Sequence, residues 1–497
     1  METYFLDALS DEERDIVKYI PTVNGLMKFI ERYGDRPALS TLERGLTYEE
    51  LLKEVARKRA MLDEKNIKKG GHVAIFDKTT IEAIVLFLAV TTSGRVAVNL
   101  PSALTPEMLA GITMKFDIDA LFVRDEFKER TVTVRIPVYS TTETSANEAP
   151  ADENTEKKST AAIFFTGGTT GAPKGVILSH GALMRGSFNG ALMRGGIFYQ
   201  RYYLLLPLSH VFGMIRSCLS CLYTGSQVYT CENMQAIFKE IGVIRPTVLI
   251  LVPGLCELLL GMAKARGKEV LGGELHTIIS GAAPVPPRLM AAFKEFNIKL
   301  LAGYGLTESA NFVCGNMDTD VKPDSVGKLY PEQEIRFVDE EIQLKGDHLF
   351  DGYYKDPEAT KEAFTEDGWF KTGDLGRMDD EGFIYITGRI KNLIILSNGE
   401  NVSPEAVEEV FYRDPLVKDC LVSETEVEGA PCIGIEILPY APLVEGLSPE
   451  EVYEKVRSMV KRVNENLPSY MQVATFKVRD TDFERTPSMK IARTLKK

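Results

Sequence analysis

Between about residue 15 and residue 140 the chain alternates short apolar runs with segments that repeat apolar residues at helical spacing. Val73-Ala74-Ile75-Phe76 and Val96-Ala97-Val98 read as buried strands, and the apolar stretch Ile81 to Val90 between them reads as a helix. That βαβ order implies a mostly parallel sheet. Leu46-Thr47-Tyr48-Glu49-Glu50-Leu51 opens an amphipathic helix, with Thr47 as N-cap and Glu50 completing a capping box. Apolar runs return at Ala161 to Phe165, Gly175 to Ser179, Thr247 to Val252 and Thr277 to Ser280, each short enough to be a strand. Residues 140 to 160 are almost free of apolar side chains and read as a solvated linker or long loop. Beyond Gly388 the pattern becomes that of a compact α+β unit. Ser403-Pro404-Glu405 starts a helix reaching Arg413, and Ser448-Pro449-Glu450-Glu451 starts another with a full capping box. The fold expected is α/β: a large N-terminal domain of layered βαβ sheets and helices over residues 1–388, followed by a small α+β domain over residues 389–497.

The ends of the expected strands carry unusual residues. After Phe165 come Thr166-Gly167-Gly168-Thr169-Thr170-Gly171-Ala172-Pro173-Lys174-Gly175, with four glycines, three threonines and a lysine in ten positions. Glycines let backbone N–H groups approach phosphate oxygens, hydroxyls add donors, and the ammonium adds charge. A Walker P-loop would need Gly-Lys-Ser/Thr, whereas Lys174 stands between Pro173 and Gly175. A Gly/Thr-rich surface turn is the competing reading. Ser280-Gly281-Ala282-Ala283-Pro284 offers backbone to a planar base. Ala302-Gly303-Tyr304-Gly305-Leu306-Thr307-Glu308 brings a ring for stacking, a hydroxyl, and a carboxylate suited to a hard cation such as Mg²⁺. Asp374, in Phe370-Lys371-Thr372-Gly373-Asp374, is placed to accept hydrogen bonds from ribose hydroxyls. Gly388-Arg389-Ile390-Lys391 falls at the change of composition, and Lys490 sits in a late loop. Taken singly, each has an ordinary alternative as a strand-end turn, a charged linker or a solvated lysine.

Composition narrows the choice of partners. The formal net charge of −13 argues against nucleic acid or an anionic membrane as the main partner, and leaves room for ATP on a local basic loop. Met1 to Asp7 shows no basic region followed by an apolar stretch, so no signal peptide is expected. The Ile81 helix is too short to span a bilayer, and no stable membrane insertion is expected. Seven scattered cysteines, including Cys218-x-x-Cys221 without a second pair or histidine cluster, read as reduced, buried thiols of a cytoplasmic protein.

In order and spacing, these segments resemble the superfamily of adenylate-forming enzymes, which includes acyl- and aryl-CoA synthetases, adenylation domains and beetle luciferases. The likeness is carried by Thr166 to Gly175, Leu206-Pro207-Leu208-Ser209-His210-Val211-Phe212-Gly213, Tyr304 to Glu308, Gly352 to Thr360, Trp369 to Asp374, Gly388 to Glu408 and Pro487 to Arg493. Such enzymes use Mg-ATP to turn a carboxylic acid into an acyl-adenylate and pyrophosphate, then pass the acyl group to a thiol, usually that of coenzyme A. The resemblance implies that Lys490 bridges substrate carboxylate and ATP, and that Glu308, with Thr307 beside it, holds Mg²⁺. It further implies that Thr166, Gly168, Thr169, Thr170, Gly171 and Lys174 hold the departing phosphates. Tyr304 with Gly281, Ala282 and Ala283 would frame adenine, and Asp374 with Arg389 the ribose. Lys391 would be the hinge on which a mobile small domain turns. Three departures stand out: Met489 replaces the glycine usual before the catalytic lysine, Asn392 follows the hinge where aspartate is common, and Phe337 to Ile342 looks short for its hairpin.

The acid pocket implied by the resemblance contains His210, Val211, Phe212, Gly281 and Gly303. Relatives that adenylate amino acids carry an aspartate where this chain has Val211, and the segment instead looks like the acyl/aryl-CoA synthetase branch. His210 could equally be a satisfied core residue. With no carrier domain expected after Lys497, the acceptor is CoA or a separate acyl carrier protein, and Ser397 to Pro404 favours CoA. A stand-alone ligase loading a carrier protein and a non-catalytic binding relative are the alternatives. The last would be expected to lack Lys490, Glu308 or Asp374, and all three are present. The identity of the acid, the oligomeric state and the pathway are not encoded in these motifs.

Overall fold

The structure is a computed structural model that describes residues 3–7, 9–166, 174–193, 198–396, 400–427, 430–485, 491 and 493. Its first sheet grows from the βαβ unit seen in the sequence. His72–Phe76 pairs in parallel with Val96–Asn99 on one side and Ile118–Val123 on the other, and the helix Ile81–Thr92 makes the crossover. Thr160–Thr166 joins in parallel beside Val96–Asn99, then the chain returns antiparallel as Lys174–Ser179. Gly352–Tyr353 and Val138–Ser140 form the two edges of this seven-stranded sheet. A second sheet of nine strands has a parallel centre that includes Arg201–Leu204, Val248–Leu251, Thr277–Ser280 and Lys299–Leu306. Asn311–Asn316 runs antiparallel beside Lys299–Leu306.

Helices fill the space between these sheets. In Ile81–Thr92 every residue but Glu82 is buried, and in His180–Ala191 every residue is buried. A helix apolar or small on all sides must have neighbours on all sides. His180–Ala191 meets this by packing on Lys174–Ser179 of one sheet and Asn311–Asn316 of the other. Its Arg185 is 2 % exposed but lies over the Tyr19 ring and pairs with Asp347 and Glu332.

The predicted caps form as expected, with a capping box at Thr47/Glu50 and another at Ser448/Glu451. One expectation holds with an addition, and one needs correction. Residues 140–160 do form a long, largely exposed connection, and it is tied down at a few points. Lys58 Nζ donates to the Thr141 carbonyl at 2.6 Å, Arg59 Nε donates to the Ala149 carbonyl at 2.9 Å, and Ser145 donates to Glu64 at 2.6 Å. The polar composition reflects backbone satisfied by buried cations, which apolar counting cannot detect. The hairpin at Phe337 to Ile342 is complete. Glu334–Val338 and Glu341–Lys345 pair antiparallel across a two-residue turn in which Asp339 and Glu340 have φ of 48° and 64°. Both central residues being left-handed is the turn that best matches sheet twist. The two strands extend, through Phe370–Met378 and Ile384–Arg389, into a four-stranded antiparallel sheet.

Past this sheet the hydrophobic core changes. Ile386 packs with the large core, whereas Ile394 begins a separate cluster with Val407, Phe411, Ile435 and Val456. The strands Val417–Val427, Ala430–Pro439 and Thr475–Val478 form its sheet, covered by helices Pro404–Tyr412 and Pro449–Asn464. All seven cysteines are free thiols; six are buried, and Cys432 is half-buried. Among the described residues no cluster of three or more His, Cys, Asp or Glu could hold a metal, and no helix is long and apolar enough to cross a membrane.

Glu408 lies inside the small domain, accepting hydrogen bonds from Val422 N at 2.6 Å and from Arg493. Burial pushes its carboxyl up to about 7 against the pull of Arg493. Between the usual carboxylate pKa and about 7 the native state therefore binds a proton that the unfolded state has lost. The linkage slope is then negative: stability falls as pH rises through that window and levels off above it. Its size is of the order of 3 kcal/mol at most. Calorimetric unfolding between pH 5 and 8 should show this decline, and Glu408→Gln should flatten it; an unchanged slope in the variant would rule Glu408 out as its source.

Candidate active site

Asp374 stands in the strand Phe370–Met378 and is 4 % exposed. It accepts from Tyr304 Oη at 2.7 Å on one oxygen and from Arg389 Nε at 2.5 Å on the other. Arg389 is its cross-strand partner in the ladder with Ile384–Arg389, so the sheet register sets this pair. Tyr304 reaches it from Lys299–Leu306 of the nine-stranded sheet. Burial works against the charge on Arg389, but Asp374 more than compensates and holds its pKa above the ordinary value. Burial, and then Asp374, raise the Tyr304 phenol so far that it remains a donor across the working range. Lys391, two residues on, is lowered by burial and by the Arg389 charge.

Glu308 lies in the single turn Thr307–Ser309 that follows the Tyr304 strand, and this turn packs on the strands at either side of the Gly/Thr-rich loop. Its Oε1 accepts from Tyr353 Oη at 2.9 Å. Burial pushes the Glu308 carboxyl above its usual range, against the Tyr353 hydrogen bond. Lys174 Nζ lies 4.8 Å from the centre of the Tyr353 ring, so the same tyrosine meets both the lysine and the carboxylate. Thr166 and Lys174 are directly paired across the antiparallel ladder, which fixes the two ends of the loop. Gly168, Thr169, Thr170 and Gly171 lie outside the described residues, as does Lys490.

A second group lies alongside. Ser280 pairs with Ala302, which brings Gly281 next to Gly303. A Cβ on either glycine would fall 2.4 Å from the Phe312 ring, so only hydrogen fits there. Phe312 in turn meets Phe212 with ring centres 5.0 Å apart. Ala282 has φ of 66°, a left-handed conformation that turns its backbone outward at the end of the strand. Val211 and Phe212 are buried, and His210 is half-buried at the head of their helix. A cleft of about 410 Å³ is lined by His72, Val96, Ile163, Ile177 and Tyr354, and contains none of the residues assigned to ATP, metal or acid.

The described motif residues thus fall into two adjoining groups, one polar and charged, the other aromatic and glycine-walled. Two members were not singled out from sequence. Tyr353 sits inside a quoted motif, but its bond to Glu308 spans 45 positions. Phe312 is an apolar strand residue with no chemical signature, made visible only by the glycines it covers.

The arrangement agrees with comparison to known proteins. Residues 26–354 match the AMP-binding enzyme family, and residues 391–496 match the C-terminal domain of AMP-binding enzymes. The chain belongs to the AMP-binding enzyme family. It is 30% identical to a 2-succinylbenzoate–CoA ligase of Bacillus cereus over 80% of this chain and 84% of that protein. It is 26% identical to a long-chain-fatty-acid–CoA ligase of Mycobacterium bovis, covering 86% of each. Its fold resembles that of an o-succinylbenzoate CoA synthetase of Bacillus subtilis solved with an acyl-adenylate intermediate, at TM-score 0.79 and 24% identity, covering 96% of this chain and 98% of that one.

The Asp374 pair is open to direct measurement. Arg389 is 37 % exposed at its side chain, so the cost of removing its partner is well below that of a fully buried pair. Asp374→Ala should lower stability by about 1–2 kcal/mol, and Tyr304→Phe by about 1 kcal/mol. A double-mutant cycle of Asp374→Ala with Arg389→Ala should return a coupling of about 1 kcal/mol or more by urea unfolding. Strict additivity would mean the two side chains are not paired in solution.

Proposed function

We propose that this chain is an AMP-forming acid–thiol ligase that activates a fatty or aryl carboxylic acid with Mg-ATP and transfers the acyl group to coenzyme A. The observation that carries this reading is the clustering of Tyr304, Asp374 and Arg389 with Glu308, whose turn packs on both ends of the Gly/Thr-rich loop, next to Gly281 and Gly303 under the Phe312 ring. The named CoA ligases among its relatives support it.

In the first half-reaction an oxygen of the acid carboxylate bonds to the α-phosphorus of ATP, and the bond to pyrophosphate breaks. Anion meets anion, so the protein's task is to neutralise charge and to align, more than to move protons. Asp374 would accept from the ribose hydroxyls, with Arg389 holding the carboxylate in place. Tyr304 and the Gly281-Ala282-Ala283 backbone would frame the base. Thr166, Gly168, Thr169, Thr170, Gly171 and Lys174 would hold the leaving phosphates. Glu308 suits magnesium: a desolvated carboxylate with one donor on it keeps lone pairs for a hard cation that takes its other ligands from phosphate and water. When bound there, Mg²⁺ would supply the remaining neutralisation of the polyphosphate. Thr307 would position Glu308, and Lys490 would bridge the acid and ATP. His210, Val211, Phe212 and Gly303 would line the acid.

In the second half-reaction the thiol sulfur bonds to the acyl carbon, AMP leaves, and the thiol proton passes to solvent. We assign the boundary of the small domain to residues 389–497, the hinge to Lys391, and the withdrawal of Lys490 to rotation about it. The free thiols suit a cytoplasmic setting.

ATP–pyrophosphate exchange across fatty, aryl and amino acids, without CoA, should respond to a fatty or aryl acid; silence from every acid despite Mg-ATP binding would overturn adenylation. Adding CoA or an acyl carrier protein then identifies the acceptor by the thioester formed. Lys490→Ala should lose exchange by 10²-fold or more yet still pass acyl from supplied acyl-adenylate to the thiol. Equal loss of both half-reactions would remove the hinge from the mechanism.

A further inference from the structure

The helix that begins at Phe212 carries π-type hydrogen bonding over Phe212–Leu219, a feature that often marks a working segment. Phe212 forms part of the aromatic wall opposite Gly281 and Gly303. About one turn further, on the same side of this helix, stands Arg216, 2 % exposed.

Buried arginines elsewhere in the protein have carboxylate or carbonyl partners. Arg185 has Asp347 and Glu332, Arg95 has Asp63 and the Ile67 carbonyl, and Arg59 has the Ala149 carbonyl. Among the described residues Arg216 has no carboxylate within ion-pair distance, and its Nε has no hydrogen-bond partner. The groups around it are polar and also unsatisfied. Gly190 faces its side chain so closely that a Cβ would fall 2.8 Å from Arg216 Cδ. Asn189, next to that glycine, is fully buried with neither end of its amide hydrogen-bonded. Tyr330, 1 % exposed, lies near enough for Arg216 to act on its phenol, and its hydroxyl has no partner. Tyr202 also lies within reach of the guanidinium, which lowers its phenol against the larger effect of burial.

A buried charge without a counter-ion is strongly disfavoured, and an unsatisfied phenol near it and an unsatisfied amide on the helix packed against it add to the cost. A ligand that brings a negative charge into this place would satisfy all three. We propose that the acid this chain activates carries a second carboxylate, received by Arg216 with Asn189 and Tyr330 beyond the Phe212–Phe312 wall. This rests on the acid-activating reading of the site and narrows its substrate class to dicarboxylic acids. The first carboxylate goes to ATP, and the second stays ionised and fixes the register of the chain or ring between them. A guanidinium can take a carboxylate through two parallel hydrogen bonds, and a site built to do so rejects the uncharged analogue strongly.

The test uses glutarate, adipate, pimelate and benzene-1,4-dicarboxylate, each against its monomethyl ester, on the full chain. Two readouts are taken: ATP–pyrophosphate exchange, and thermal stabilisation by the acid in the absence of ATP. At least one diacid should exceed its monoester by tenfold or more in kcat/KM and should stabilise the protein where the ester does not. Arg216→Met should lose 10²-fold or more on that diacid while keeping exchange with the ester, and Arg216→Lys should recover part of the loss. Exchange confined to monocarboxylic acids, or equal loss on both members of a pair in a folded Arg216→Met protein, would overturn the anion site. Diacid stabilisation that depends on Arg216, without exchange, would keep the anion site and overturn adenylation. Neither exchange nor stabilisation with any diacid would overturn both.

Discussion

The carboxylate of Asp374 is the point on which the site is assembled. It is nearly out of water, and such a group persists as an anion only when donors surround it. Its two donors come from different layers: Tyr304 from the nine-stranded sheet, and Arg389 from the last strand of the four-stranded sheet. Satisfying one buried charge therefore sets the relation between two sheets. Arg389 is also the last residue of its strand, so the segment that leads into the small domain starts from an anchored residue. Within two positions the anchoring has weakened: Lys391 belongs to a short turn and is exposed.

Most of the fold was legible because period-2 runs, helix caps and parallel-sheet logic are local signals. The βαβ unit at residues 72–99 and the capping boxes at Thr47 and Ser448 form as the sequence indicates. Where the local signals fall short, the reason is a common physical one. Residues 140–160 are largely exposed, as their lack of apolar side chains indicates, but the anchoring of their carbonyls by Lys58 and Arg59 on a distant helix leaves no local trace. The turn at Asp339-Glu340 looks cramped because its residues are not the glycine or asparagine that a left-handed turn prefers, yet the ladder on either side holds it. In both cases long-range partners add what local signals do not show. The same applies to the site: Asp374 and Glu308 stood out by motif, whereas Tyr353 and Phe312 acquire meaning only from what they touch.

Buried charge is handled in three ways in this protein. Arg185, deep in the helix layer, is neutralised by two carboxylates that arrive from other segments. Glu408, in the small domain, has one cation and one backbone donor, which leaves burial the larger effect and its carboxyl near 7. Among the described residues Arg216 has no carboxylate within ion-pair distance, and its Nε has no partner. The first arrangement is a finished structural device, the second a pH-sensitive one, and the third is left incomplete by the described residues.

That incompleteness has a physical consequence for how an acid would be chosen. An apolar pocket separates acids that differ by a methylene only weakly, because each methylene contributes about 1 kcal/mol. An acid lined by Phe212, Phe312, Gly281 and Gly303 would meet only this weak discrimination. A buried cation changes the comparison, since the wrong acid leaves it unpaired and the right one removes a cost already present in the empty site. Selection then depends on charge at the far end of the acid more than on its length. The carboxylate to be activated and the one to be recognised would be read by different parts of the chain: the first by the ATP site proposed around Asp374 and Glu308, the second by one turn of a π-type helix. Separating the two readings lets the recognition end diverge while the adenylating end stays fixed.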